Sequence, residues 1–150
     1  MSRRYAFFAV EGDTDQIVIR QVLKRILGLQ LWNGDISSLE SLWPRQSDIV
    51  PNYSSATSSN IYKRSSPPSL LYSEDISVVI FQGGGSTLIP RLKTLFDNSD
   101  LHNNLDSFAL FADADRRDPG HIVSHYQHEL RGYLPSLPAK AGEICKGDQL

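Results

Sequence analysis

Two acidic clusters carry the chemistry open to this sequence. Asp113-Ala114-Asp115 follows the apolar run 107–112, and Glu11 follows the apolar run 5–10. Carboxylates two residues apart at an extended chain end can both approach one hard cation through oxygen. Mg²⁺ typically takes one or two protein carboxylates and keeps waters for a substrate phosphate. Crowded carboxylates repel one another unless a cation or a proton compensates. The plain alternative is that an Asp at a strand-to-helix turn caps the next helix, and Asp118 before Pro119 does read as a cap. Capping suits Asp13 or Thr14 better than Glu11, which leaves the Glu11 carboxylate for general acid or base work tuned by its acidic neighbours. Its plain alternative is an exposed turn residue.

The elements that must position these acids are short. Residues 5–10, YAFFAV, form a brief aromatic and β-branched run that reads as a fully buried strand. Glu11 to Asp15 breaks it, with Asp13-x-x-Gln16 resembling a capping box. Ile19, Val22, Leu23, Ile26 and Leu27 then recur at helical spacing up to Gly28, a plausible stop. A second strand spans 76–81, ISVVIF. It is followed by the turn Gly83-Gly84-Gly85-Ser86-Thr87 and a helix from about Leu88 to Phe96, with Pro90 in its first turn. The third buried strand, 107–112, ends in the Asp-x-Asp pair. Asp118-Pro119 opens a helix whose apolar face is Ile122, Val123, Tyr126 and Leu130, with Gly132 as its stop. Between the first helix and the second strand, about 33–75, lies a Ser/Pro-rich insert with scattered aromatics, in which Leu70-Leu71-Tyr72 can pair as an edge element. The order β-α-insert-β-α-β-α predicts an α/β fold with a mainly parallel sheet covered on both faces, its ligand site at the carboxyl ends of the strands.

Composition bounds the rest. The 150 residues fit a single domain, 1–150, that is 40% hydrophobic and 21% charged, which is ordinary globular usage. The single Cys145 excludes an internal disulfide or a multi-cysteine zinc site and favours a reducing, cytoplasmic setting. A net charge of −2 excludes a polycation that coats nucleic acid by charge alone, so such a partner must be held locally or through a metal. No apolar run is long enough to cross a bilayer, and the first residues do not read as a signal peptide. After the third helix no closing strand is evident before Leu150.

Val10-Glu11-Gly12-Asp13-Thr14-Asp15 resembles the Glu-Gly motif of Toprim domains, and Phe111-Ala112-Asp113-Ala114-Asp115 resembles their Asp-x-Asp motif, in the same order and on the same kinds of element. The form Val-Glu-Gly-x-Thr-Asp is nearest the small stand-alone members and the overcoming-lysogenization-defect nucleases. The resemblance implies a Toprim-like three-layer sandwich acting on nucleic-acid phosphodiesters with Mg²⁺ (or Mn²⁺), in DNA repair or phage defence. It implies that Glu11 is the general acid/base and that Asp113 and Asp115 are metal ligands. Asp15, one helical turn back towards Glu11, joins them in the nuclease-like members. Toprim domains usually close with a further strand, and nuclease-like members carry more acids near it. Its lack here leaves room for residues from another chain, a homo-oligomer or a partner protein.

Weaker signals surround these motifs. Gly83 and Gly84 can shape a phosphate pocket through backbone N–H groups, though without the Gly-Lys-Ser/Thr of a P-loop. Arg116, in Arg116-Arg117, can contact a phosphate or merely screen the aspartates. His121, His125 and His128 share one helical face, which reads as a solvated polar face more readily than as a zinc site. The competing functions are a non-catalytic Toprim-fold module that binds nucleic acid or protein, and a different phosphate enzyme. The latter fits poorly, since an aspartyl-phosphate hydrolase needs Asp rather than Glu-Gly at its first strand end.

Overall fold

The computed structural model describes residues 3–32, Trp43 and 69–144. Most of the expected insert, and Cys145 with the rest of the tail, lie outside them. Five strands and three helices follow in the order β1 (Arg4–Val10), α1 (Asp13–Leu27), β2 (Gln30–Leu31), β3 (Ser69–Tyr72), β4 (Ile76–Gln82), α2 (Leu88–Asp97), β5 (Ser107–Phe111) and α3 (Pro119–Leu130). The sheet order is β2-β3-β4-β1-β5. β1 pairs in parallel with both β4 and β5, whereas β3 runs antiparallel to β2 and to β4. The architecture is therefore α/β, as expected, but the sheet is mixed.

Alternation along β1 explains how both faces are covered. Phe7 and Ala9 point into one cluster with Leu88, Leu92, Leu95 and Phe96 of α2 and Leu130 of α3. Ala6 and Val10 point into the other with Leu23 and the partly buried Ile19 of α1. Side chains two residues apart share a face, so β1 is apolar on both sides and sits inside the sheet between β4 and β5. Burying a side chain such as Phe7 completely contributes roughly 2 kcal/mol.

Three expectations are corrected. Residues 70–72 are not an edge: β3 lies between β2 and β4, and Leu71 is fully buried. The third parallel strand is not fully buried, because β5 is the outermost strand and Phe111 is 41% exposed. The α1 stripe is wider than the sheet beneath it, leaving Val22, Leu27 and Ile26 (75%) exposed. That helix starts with Gly12 as N-cap rather than Asp13 or Thr14, and ends at Gly28 in the left-handed conformation, φ 65°. Gln16, expected in a capping box, is buried and its amide donates to the Ser69 hydroxyl at 3.1 Å, tying α1 to β3. From the insert, Trp43 is buried and its indole N–H donates to the Ser77 hydroxyl at 2.7 Å, edge-on to Tyr5. Among the described residues no helix is long and apolar enough to cross a membrane.

The chain moves from β1 through α1 to one side of the sheet and from β4 through α2 to the other, so β1 lies at the point where strand order reverses. A crevice forms there, outside the carboxyl ends of the strands. The turn that leads from β4 to α2 depends on Gly83. A Cβ at this position would lie 2.2 Å from Leu88 Cδ1 and 2.5 Å from the Leu88 Cα, which is backbone and cannot give way. Gly83→Ala is expected to lower unfolding stability by about 3 kcal/mol, seen as a lower urea midpoint. A midpoint equal to that of the unmodified protein would show that this turn tolerates a side chain.

Candidate functional site

The glycine turn wraps the end of β1. Gly83 N–H donates to Val10 O at 2.9 Å, and Gly84 and Gly85 N–H donate to Glu11 O at 3.1 and 3.0 Å. The amides expected to meet a phosphate are thus spent on backbone. The Thr87 hydroxyl donates back to Gly83 O and Gly84 O, which closes the turn onto the start of α2.

With its carbonyl fixed, Glu11 presents its carboxylate to two donors. Oε2 accepts from Asp113 N–H at 3.0 Å, and Oε1 accepts from the Tyr126 hydroxyl at 2.8 Å. The two acidic clusters meet here, since the backbone of the second binds the side chain of the first. Asp113 Oδ1 accepts from Asp115 N–H at 2.9 Å, an Asx turn. Asp115 takes a positive φ of 49°, unusual for a residue with a side chain and found most often in Asp and Asn. Arg117 N–H donates to Ala114 O at 2.8 Å, which turns the chain into Asp118. Asp118 then caps α3 by accepting from His121 N–H at 3.2 Å, with Pro119 in the first turn.

A cleft of about 440 Å³ opens beside this junction. Glu11 and Asp115 are its acids. Ser86, Arg117, His121 and His125 add polar groups, while Ile89 and Ile122 provide apolar lining. The basic residue in the cleft is Arg117, and neither Arg116 nor the Gly83-Gly84 pair lines it. Asp15 lies elsewhere: its carboxylate accepts from Gly12 N–H at 3.3 Å at the start of α1. Tyr126 was read from the sequence only as part of an apolar face. The available signal was its hydroxyl, which needs a partner once the ring is half-buried. Burial first, and the Glu11 hydrogen bond second, push its phenol well above the usual tyrosine range.

Among the described residues no three of His, Cys, Asp and Glu are grouped so as to hold a metal. Glu11 and Asp115 on one cleft do fit a hard, water-rich ion that takes one or two carboxylates and completes its shell from a phosphate.

No family model matches the chain, and no curated protein matches it. A solved structure of a hypothetical protein from Pyrococcus horikoshii OT3 is similar, with a TM-score of 0.52 and 20% identity. The similarity covers 84% of this chain and 47% of that one, so this chain spans about half its length. It is a likeness of fold.

Two measurements check the local assignments. Asp15→Ala is expected to cost about 1 kcal/mol, through loss of a first-turn carboxylate, and to leave Mn²⁺ affinity unchanged. A drop in Mn²⁺ affinity would place Asp15 at the ion instead. In an alkaline titration of phenolate absorbance, Tyr126→Phe removes one of the last tyrosines to ionise. Because its folded pKa is raised, the stabilisation is complete below the unfolded value of about 10 and is lost as pH climbs beyond it. Loss of a phenol that ionises in the ordinary tyrosine range would contradict the Glu11–Tyr126 bond.

Proposed function

We propose that this protein is a Toprim-like, Mg²⁺- or Mn²⁺-dependent enzyme acting on nucleic-acid phosphodiester bonds in the manner of a nuclease, in the cytoplasm. The observation that carries the reading is the Glu11 carboxylate, held by Asp113 N–H and the Tyr126 hydroxyl at the carboxyl end of β1, in a cleft shared with Asp115. The Toprim resemblance rests on the same three acids. Glu11 and Asp115, with Asp113 beside them, would hold the ion, which when bound supplies Lewis-acid polarisation of the phosphate and charge relief at the leaving oxygen.

The protein's own groups do the remainder. Glu11 has one donor on each oxygen and so is held in a fixed orientation, while its remaining lone pairs can take a proton from the attacking hydroxyl. The positive φ of Asp115 and the Asx turn at Asp113 set the second carboxylate against the first with little freedom to relax. Arg117 brings a positive charge to the same cleft, suited to a phosphate oxygen.

A second reading has its own support. One oxygen of Asp113 is committed to Asp115 N–H, and the described acids form no three-ligand group. A non-catalytic module that binds nucleic acid or a partner protein needs no more than this. Cleavage of single- and double-stranded DNA and RNA with Mg²⁺ or Mn²⁺ separates the two. Glu11→Gln and Asp113→Asn are each expected to lower the rate by about 10²-fold or more. Activity that survives both substitutions removes the mechanism, and nucleic-acid binding without turnover supports the module.

A further inference from the structure

The cleft carries a set of side-chain donors as well as its acids. α3 is capped at Asp118, so His121 and His125 fall one turn apart on the face that lines the cleft, next to Ile122 and Tyr126. Tyr126 is committed to Glu11. Neither histidine ring makes a side-chain hydrogen bond among the described residues; the His125 ring lies 5.8 Å from the Tyr126 ring between centroids and close enough to Glu129 to interact with its charge. Ser86 on the opposite turn is exposed, and among the described residues its hydroxyl likewise makes no hydrogen bond. Arg117 spends only a long contact, 3.4 Å, on Asp113 O. Four exposed side chains able to donate therefore converge on one cleft.

A cation does not fit this side of the cleft, since the histidines join no three-ligand group and Arg117 repels positive charge. An anion with several acceptor oxygens does fit. Imidazole donates N–H in its neutral as well as its protonated form, and guanidinium and hydroxyl donors suit phosphate geometry. Ile89 and Ile122 give the adjoining apolar surface that a sugar or base can lie against.

We propose that His121, His125, Arg117 and Ser86 form a phosphate-binding subsite that holds a nucleotide phosphate beside the Glu11–Asp115 centre. The subsite rests on the reading of the cleft as a phosphodiester site and assigns its substrate contacts to α3. It differs from the sequence expectation, which put those contacts on Gly83, Gly84 and Arg116.

The test uses the full chain without added metal and follows the histidine ring resonances during titration with thymidine 5′-phosphate, with thymidine as control. The expected result is a saturable shift of the His121 and His125 signals with the phosphate and not with thymidine. The double variant H121N/H125N should bind at least about tenfold more weakly, with Mn²⁺ affinity unchanged. Rings that do not respond in the unmodified protein overturn the proposal even if the double variant fails to fold, as does equal affinity in the double variant. Glu11→Gln separates the two readings: the phosphate shift should persist in it while cleavage is lost. A persistent shift in a protein without nuclease activity upholds the subsite and sinks only the catalytic reading. A 5′-phosphorylated and an unphosphorylated oligonucleotide, compared in the same titration, tell a terminal phosphate from an internal one.

Discussion

One carboxylate ties together the elements around the cleft. Glu11 stands at the end of β1, yet its two oxygens are satisfied from positions 102 and 115 residues away, by the backbone after β5 and by the middle of α3. Closing loops of that length is entropically costly, so such contacts hold only where the scaffold between them is already formed. Here the scaffold is the parallel trio β4-β1-β5, and its register delivers Val10 beside Gln82 on one side and beside Phe111 on the other. The three strand ends thus finish level. The glycine turn, the Glu-Gly turn and the Asp-x-Asp turn meet because the pairing leaves them nowhere else to go.

That arrangement was legible where the signal was local. β1, β4 and all three helices follow from apolar periodicity, Gly28, Pro90 and Asp118-Pro119 within a residue or two. What lay beyond reach depended on partners distant in sequence. Ser69–Tyr72 is a run of only 4 residues directly after a Pro-Pro pair, and nothing in it announces that Leu71 will be enclosed on both sides. The run 107–111 reads as a buried strand, but a strand's place in the sheet is not a property of its own residues, and β5 falls at the edge. The surplus of apolar residues on α1 has the same origin: its helical period is visible, the width of the sheet below it is not.

The candidate site divides in the same way. The acids were visible by type and spacing, and the structure brings Glu11, Asp113 and Asp115 together. Asp15 comes from the Toprim resemblance, with helical reach towards Glu11 as its geometric support, and reach does not choose between Glu11 and the nearer Gly12 N–H. Gly83 and Gly84 offered amides on paper; the end of β1 claims them. The α3 histidines were discounted as a solvated face because their helix also carries Gln127, Glu129 and Arg131. The sequence pattern does not show that the same helix leans over the strand ends.

The aromatic anchors have an optical consequence. Both tryptophans of the chain, Trp32 and Trp43, are buried in the cluster beneath α2 and α3, and neither lines the cleft. Trp32 N–H donates to Leu70 O near the start of β3, while Trp43 reaches Ser77 at the start of β4. They stand on either side of residues 33–42. Tryptophan emission in this protein therefore reports the packing of the core at the start of β3 and β4 rather than the cleft itself. A ligand that changes the emission must have acted through the scaffold as well as through the acids.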